Sequence, residues 1–400
     1  MKLNKIMTGD CRRVLVGFPS DFVDLVYLDP PFFTQKTYKQ LSRDRSKEYK
    51  FDDHFDSLDD YLSFLKNALI ECRRVLRETG SLFLHCDRTA SHHLRLLLET
   101  VFGEENFQSE IIWAYKRWSN SKKGLLNAHQ VIYFFSKSNQ FKFNTLYGDY
   151  SPTTNIDQIL QERIRDENGI SVYKRDENGK IMRGKPKKGV PLSDVWEIPY
   201  LNPKAKERCG YPTQKPVLLL DRIINIASDE GSIVLDPFCG SGTTCISAKR
   251  LNRQFIGIDI SPEAVELVQK RLEKMLVSES NLLIKGKENY QEKTESELTL
   301  LSLLNAFPVQ RNSGIDGFLK EHVDNSPIPI KIQKENETLE DAIEKLERAT
   351  QKEHYPLKIV VQTHETPKTR FFPLDAKVEI IQSLELQYQK SLLKKITATR

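Results

Sequence analysis

Twice in this chain a short apolar run is cut off by Asp-Pro, and no other feature narrows the fold as much. Phe22 to Leu28 stops at Asp29-Pro30-Pro31, and Gly231 to Leu235 stops at Asp236-Pro237. Runs of that length and composition, with such bounds, read as buried parallel strands. Proline has no N–H and a fixed φ, so neither strand continues past its acid. Helical spacing follows each of them. From Leu58 to Leu76 the residues Tyr61, Leu62, Leu65, Leu69, Cys72, Val75 and Leu76 recur on one face, and Gly80 releases the chain into the run Ser81 to His85. His92 to Phe102 reads as a helix, and Glu110 to Trp113 and Gln130 to Phe135 as strands. Thr243 to Leu251 reads as a helix and Phe255 to Ile258 as the next strand. Alternation of this kind predicts a doubly wound, mostly parallel α/β sheet.

At 400 residues, 39% hydrophobic and 29% charged, the chain has core enough for roughly two or three domains and is not a disordered or disulfide-stapled protein. The formal charge of +5 allows nucleic acid as a partner without naming it. The six cysteines form no Cys-x-x-Cys pair, so they read as reduced thiols of the cytoplasm, with no metal site among them. No segment approaches the roughly 18 apolar residues of a membrane span, and Met1 to Lys5 lacks an export signal, so no membrane partner is expected.

Between the two α/β blocks, about Asn139 to Arg208, the apolar pattern lapses and basic residues gather: Lys174, Arg175, Lys180, Arg183, Lys185, Lys187 and Lys188. Arg165-Asp166-Glu167-Asn168-Gly169 recurs as Arg175-Asp176-Glu177-Asn178-Gly179, and each copy ends in Asn-Gly, a strong hairpin signal. This is a small, β-rich, basic insertion. After Ser278 the composition turns polar like a linker. A second α/β unit then follows, with a helix near Leu298 to Leu304, a strand at Ile328 to Ile332, a helix at Thr338 to Ala349 and a strand at Leu357 to Val361.

The chemistry gathers at the strand ends, where open α/β sheets place their sites. At Asp29-Pro30-Pro31-Phe32 a carboxylate and the Pro30 carbonyl make a double acceptor, suited to both hydrogens of a flat amine, with Phe32 as a stacking face. In Asp236-Pro237-Phe238-Cys239-Gly240-Ser241-Gly242-Thr243 the glycines let backbone approach a ligand at a helix start. Asp259, about 20 residues on at the end of the next strand, suits ribose hydroxyls. Together these describe a nucleoside-cofactor site, though one lacking the third glycine of a dinucleotide fingerprint.

These residues resemble the S-adenosylmethionine-dependent DNA amino-methyltransferases, in the permuted order with the Asp-Pro-Pro-aromatic motif before the cofactor motif. The likeness spans about Lys5 to Arg271. Gly9-Asp10-Cys11, Asp194-Val195-Trp196 and Tyr211-Pro212-Thr213-Gln214-Lys215-Pro216 add three further pieces in the family's order. The resemblance implies that Asp29, Pro30, Pro31 and Phe32 hold the target amine and base. It implies that Asp236, Phe238, Gly240, Gly242 and Thr243 line the methionine end of the cofactor, with Asp259 at the ribose, Asp10 at the adenine, and Thr213 and Lys215 closing over the methionine part. Phe32 stands where tyrosine is usual and Phe33 follows it, so stacking is kept and a hydroxyl is lost. Asp at the first position is typical of adenine methylation, with the cytosine amine as the alternative. The target nucleotide would be flipped out of double-stranded DNA.

In this frame residues 1–138 form a catalytic half, 139–208 a target-recognition insertion, 209–277 a cofactor half, 278–295 a linker and 296–400 the C-terminal domain. The insertion's Lys174, Arg175, Lys185, Lys187 and Lys188 are the candidate DNA contacts. Trp113, Tyr115, Arg117 and Trp118 border it, as packing or as fillers of the gap a flipped base leaves. The resemblance leaves open a cognate restriction endonuclease as a partner and a nucleoid-associated location. A DNA binder that keeps the fold without turnover is the rival from another class, and a combined modification and cleavage enzyme is a further one. In the C-terminal domain Asp316, Gln333 and Lys334 are faintly similar to the magnesium site of restriction-type nucleases. Adjacent Gln333 and Lys334 would point to opposite faces of a strand, which makes any such site degenerate.

Overall fold

The computed structural model describes residues 2–41, 47–115, 123–148, 161–182, 184, 188–201, 205–277, 293–309, 312–352, 355–366 and 377–398. The chain divides into two units, Met1–Tyr290 and Gln291–Arg400. In the first, β1 (Lys5–Thr8) and a single turn, α1 (Cys11–Val14), lead to β2 (Val23–Leu28) and a hairpin of β3 (Thr37–Leu41) and β4 (Glu48–Asp52). Then come α2 (Leu58–Val75), β5 (Leu76–Cys86), α3 (Ser91–Phe102), β6 (Phe107–Ala114) and β7 (His129–Ser136). Short strands β8 (Tyr147–Gly148), β9 (Arg163–Arg165), β10 (Ser171–Tyr173), β11 (Val190–Pro191) and β12 (Val195–Glu197) follow. The unit closes with α4 (Val217–Ala227), β13 (Ile233–Asp236), α5 (Thr243–Arg250), β14 (Gln254–Asp259) and α6 (Pro262–Glu273).

Eight strands form one sheet in the order β1-β14-β13-β2-β5-β7-β6-β12. β7 runs against both of its neighbours while the remaining pairings are parallel, so the sheet is mostly parallel as expected. Alternate residues of β2 serve two cores. Val26 and Leu28 pack with Leu65, Leu69 and Cys72 of α2, while Leu25 and Tyr27 pack with Leu220, Ile223 and Ile224 of α4. Both faces are therefore covered, which is why β2 reads as a continuous apolar run rather than an alternating one. The chain leaves β13 toward β14 on one side and leaves β2 toward β5 on the other. The crevice between β13 and β2 is thus the point where the strand order reverses, and Asp236 and Asp29 stand at its mouth.

Three details differ from the sequence reading. β5 starts at Leu76 rather than Ser81, because Val23 pairs with Leu76 before an irregularity brings Leu25 opposite Ser81. The stretch set apart as 139–208 does not wholly leave the sheet, since β12 extends its edge on β6 and buries Trp196. The Asn-Gly turns are longer than two residues: Arg165 pairs with Ser171, and Asp166 Oδ1 accepts from Asn168 N (3.0 Å) and Ile170 N (2.8 Å). Asp176 repeats the arrangement with Asn178 N (3.0 Å) and Lys180 N (2.9 Å), so the aspartate of each repeat shapes the loop.

The second unit has α7 (Glu295–Leu303), β15 (Ala306–Pro308), β16 (Gly317–Val323), β17 (Ser326–Ile332), α8 (Leu339–Thr350), β18 (Lys358–Gln362), β19 (Val378–Gln382) and α9 (Leu384–Ala398). Its five strands lie in chain order, antiparallel through β17 and parallel beyond. Leu300 and Leu301 cover one face, and Ile343 and Leu346 the other.

Asp316, fully buried here, is not open to a metal. Lys293 pairs with it, Lys331 lies 3.3 Å and Lys334 3.2 Å from its oxygens, and the Ile332 amide donates to it at 2.7 Å. Gln333 turns instead to Thr363 N and the Glu337 carbonyl. Burial, with Lys293 nearby, pushes Lys334 down to about 8. Among the described residues no three His, Cys, Asp or Glu side chains are grouped to hold a metal ion, and no helix is long and apolar enough to cross a membrane.

Candidate active site

Four strand ends meet above the crevice: β1 ending before Asp10, β2 before Asp29, β13 with Asp236 and β14 with Asp259. They enclose a cavity of about 450 Å³. Asp10, Asp29, Pro30, Pro31, Phe32, Thr213, Lys215, Asp236, Phe238, Gly240, Thr243 and Asp259 all line it, so residues far apart in the chain share one site. Gly242 is not on that wall. It holds φ +75° at the start of α5, and a Cβ there would lie 2.3 Å from Val268 Cγ1, so it permits close packing of α6 rather than touching the cavity.

The wall is built by backbone amides closing on carboxylates. Asp236 Oδ1 accepts from Phe238 N at 3.1 Å, and Asp259 accepts from Gly240 N (2.7 Å) and Ser261 N (2.9 Å). Burial pushes Asp236 up to about 7 and also raises Asp259. Asp10 caps α1 and forms a two-pronged pair with Arg12, which holds its carboxyl below the ordinary range. A Cβ on Gly240 would meet the Tyr211 ring at 3.2 Å. A glycine cradle between two buried acids, open to an apolar-walled cavity, fits a nucleoside cofactor with a charged amino-acid tail.

On the other side of the cavity the Asp29 turn is held from outside. Tyr61 Oη donates to the Pro31 carbonyl (2.8 Å), while Asp53 accepts from Phe32 N (3.3 Å) and Thr34 Oγ1 (2.8 Å). The two phenylalanines divide their work. Phe33 stacks on Tyr61 in the core, ring centroids 5.3 Å apart, and Phe32 faces the cavity. Lys215, 5% exposed, reaches Asp29 Oδ2 at 2.5 Å, and its ammonium lies 5.3 Å from the Phe32 ring centre. Asp29 Oδ1 is buried with no hydrogen-bond partner. Burial raises the Asp29 carboxyl and Lys215 opposes the rise. Beneath it His85 spans Gln130 Oε1 (3.0 Å) and the Tyr27 hydroxyl (2.9 Å), so the proton sits on Nε2 and Nδ1 accepts. Burial, then Lys215, holds that imidazole well below its ordinary value, hence neutral.

The sequence reading missed Asp53 and His85. Asp53 lies in a polar hairpin end with nothing to mark it, and His85 closes an apolar run where a satisfied core histidine is the ordinary expectation. Asp194-Val195-Trp196 belongs to the sheet edge: Ile112 N donates to the Asp194 carbonyl (2.8 Å), and Trp196 Nε1 to Ser193. Trp113 and Tyr115 are buried, and Trp113 Nε1 donates to the Ile198 carbonyl at 2.8 Å, so their role is packing. Of the basic candidates, Lys174 pairs with Glu162 (3.1 Å), Arg175 donates to the Gly179 carbonyl (2.6 Å) and Lys188 is exposed. Lys185, Lys187, Arg183, Arg117 and Trp118 lie outside the described residues.

A doubly wound sheet with this cradle at its strand-order switch defines a Rossmann-like enzyme that uses a nucleoside cofactor. The family model described as DNA methylase matches residues 23–270, and the chain belongs to that family, the S-adenosylmethionine-dependent DNA amino-methyltransferases. Among curated relatives, the type II methyltransferase M.HpaI of Haemophilus parainfluenzae is 31% identical over 67% of this chain and 74% of its own length. M.HinfI of Haemophilus influenzae is 29% identical, covering 68% of each. M.BglII of Bacillus subtilis is 28% identical over 68% of this chain and 69% of its own. Of solved structures, the PvuII DNA methyltransferase, described as cytosine-N4-specific, matches with TM-score 0.45 at 18% identity, over 70% of this chain and 93% of that one. The M1.HpyAVI–SAM complex matches with TM-score 0.41 at 19% identity, over 67% and 98%.

Proposed function

We propose that this DNA methyltransferase modifies the exocyclic N6 amine of adenine in double-stranded DNA at a specific short sequence, after rotating the target nucleotide out of the helix. The observation that carries the reading is Asp29 Oδ1, a buried acceptor without a partner in the same cavity as Pro30 and Phe32. A base within the stack cannot reach an acceptor so placed, and base flipping is the route by which enzymes bring an amine to one.

Phe32 offers its ring to the flipped base, and Asp29 with the Pro30 carbonyl accepts from the two N–H groups. Both bonds draw the nitrogen lone pair out of conjugation and aim it across the cavity. S-adenosylmethionine held in the cradle would supply the methyl from its sulfonium, the N–C bond forming as the C–S bond breaks and leaves its electron pair on sulfur. Asp29 stabilises the positive charge that arrives on nitrogen, and one N–H proton leaves through Asp29 to solvent. Asp236, Phe238, Gly240 and Thr243 would hold the methionine end, Asp259 the ribose, Asp10 the adenine, with Thr213 at the closing loop. Lys174, Arg175 and Lys188, with Lys185 and Lys187, would contact phosphates. A cognate endonuclease reading the same sequence would complete a restriction pair.

Purified protein incubated with unmodified duplex DNA and methyl-labelled cofactor, then digestion to nucleosides and mass spectrometry, tests this. Label on N6 of adenine is the expected result, lost in Asp29→Ala. Label on the cytosine amine would overturn the adenine assignment while keeping the same acceptors. No label in any nucleoside, with cofactor still bound, would favour a DNA binder without turnover.

A further inference from the structure

Lys215 belongs to the segment that the resemblance assigns to the cofactor, yet its ammonium ends on the acid opposite the cofactor cradle. We propose that Lys215 is a positioning residue for Asp29: it keeps the buried carboxylate ionised and, by occupying Oδ2, reserves Oδ1 for the target amine. The inference rests on the methyltransferase reading of Asp29 and concerns how that acid is held ready.

The geometry is specific. Lys215 lies just before Pro216, the N-cap of α4, in a loop clamped by Gln214, which accepts from Cys209 N (2.9 Å) and donates to the Glu207 carbonyl (2.8 Å). The Lys215 stem is buried, so its reach to Asp29 Oδ2 at 2.5 Å is fixed by packing rather than by a mobile surface chain. Asp29 Oδ1, 3.9 Å from His85 Nδ1, has no hydrogen-bond partner. A bare buried carboxylate oxygen is costly, and it is retained where a ligand completes it.

The other groups facing Asp29 do not supply positive charge. His85, on β5, is neutral and already accepts from Tyr27. Tyr27 and Tyr211 are held protonated by burial, with Asp29 itself adding to the rise. Asp53, beyond β4, and Asp236, on β13, are acids whose charge works against a further anion. Among these groups Lys215 is the cation that offsets burial and like charge. A protonated Asp29 would donate from one oxygen, and the pocket would then lose its double acceptor and its charge for the methylated nitrogen. An ammonium beside the Phe32 ring also favours that ring's face electrostatically.

Three full-length variants test the inference: Lys215→Met and Lys215→Gln remove the charge, and Lys215→Arg keeps it. With methyl transfer followed against pH, the neutral variants should show the acid limb of kcat moved up by about one pH unit or more, with about tenfold slower transfer near neutral pH. Lys215→Arg should restore the limb. Cofactor Kd by titration calorimetry should change less than about threefold, since the ammonium serves the acid rather than the cofactor. An activity-independent readout accompanies these: infrared difference spectra at pH 7 should show a protonated carboxyl band in Lys215→Gln that disappears on adding Asp29→Asn. Should Lys215→Met fail to fold, Lys215→Gln and Lys215→Arg carry the same comparison. An unmoved acid limb with cofactor affinity down tenfold or more would overturn the proposal and return Lys215 to the cofactor. The absence of the carboxyl band in a folded neutral variant overturns it equally. If the wild type transfers no methyl group, the methyltransferase reading fails, and the infrared comparison still decides what Lys215 does to Asp29.

Discussion

Replacing Gly242 by alanine should destabilise the first unit by about 2–5 kcal/mol, although Gly242 does not line the cavity. Two independent costs add. The residue sits at φ +75°, ψ 23°, where an L side chain costs roughly 1–2 kcal/mol. The new Cβ would lie 2.3 and 2.6 Å from the two Cγ atoms of Val268, a fully buried residue of α6, and overpacking of that kind costs about 1–3 kcal/mol. The assay is urea unfolding followed by tryptophan fluorescence, because Trp113, Trp118 and Trp196 all fall within the first unit and report it alone. The second half of the test is Val268→Ala. If the steric account is right, the double variant recovers about 1–3 kcal/mol relative to the sum of the singles, leaving the backbone cost in place. Strict additivity, or a loss below about 0.5 kcal/mol for Gly242→Ala, would refute the reasoning. Gly240→Ala is the contrast: its Cβ meets only the edge of Tyr211 at 3.2 Å, so the loss should be smaller and should appear mainly in cofactor affinity.

Asp236, raised to about 7 in the folded chain, favours folding when neutral. Its contribution is complete below about pH 4 and is lost as pH rises through 7, on the order of 4 kcal/mol as an upper bound. Asp236→Asn should flatten that part of the stability profile in unfolding experiments run from pH 4 to 8. Cofactor binding should also release protons near pH 7, visible by calorimetry in buffers of different ionisation enthalpy, because a cofactor ammonium favours the ionised acid. Changing Lys174, Arg175 and Lys188 together to glutamine should reduce the slope of log K for DNA against log salt by roughly 0.9 for each phosphate that is no longer neutralised; an unchanged slope means those side chains do not touch phosphates. Asp316→Leu leaves three lysines facing one another, and should destabilise the second unit by about 3–5 kcal/mol in far-ultraviolet dichroism without moving the tryptophan transition. Equal shifts of both signals would show that the two units unfold together.

What the sequence disclosed follows from what short segments can encode. Proline after aspartate ends a strand locally, so Asp29 and Asp236 could be placed at strand ends without knowing their neighbours, and the two α/β blocks could be counted from spacing. Strand direction is not encoded that way. Gln130 to Phe135 has the same apolar character whether it runs with the sheet or against it, and its reversal follows from how it reaches its partners β5 and β6. The five-residue hairpin loops were likewise hidden, since Asn-Gly signals a turn while the Asp166 and Asp176 side chains decide its length.

Charge was the least legible property, because its meaning depends on partners distant in the chain. Lys331 alternates with Ile330 and Ile332 in β17, and alternation alone would send it to solvent; it is fully buried because Asp316 and Glu337 wait on that side. Lys215 poses the same problem across 186 residues. A motif match could say that this lysine belongs near the site, but only the folded arrangement distinguishes a lysine that meets the cofactor from one that meets the acid. The two lysines then have opposite consequences. In the second unit three ammonium groups crowd the carboxylate and leave a cation no place to bind, whereas in the first a single ammonium takes one oxygen and leaves the other bare. A buried acid with one oxygen paired and the other bare is prepared for a neutral donor such as an amine, and a buried acid with two donors on each oxygen is prepared for nothing further.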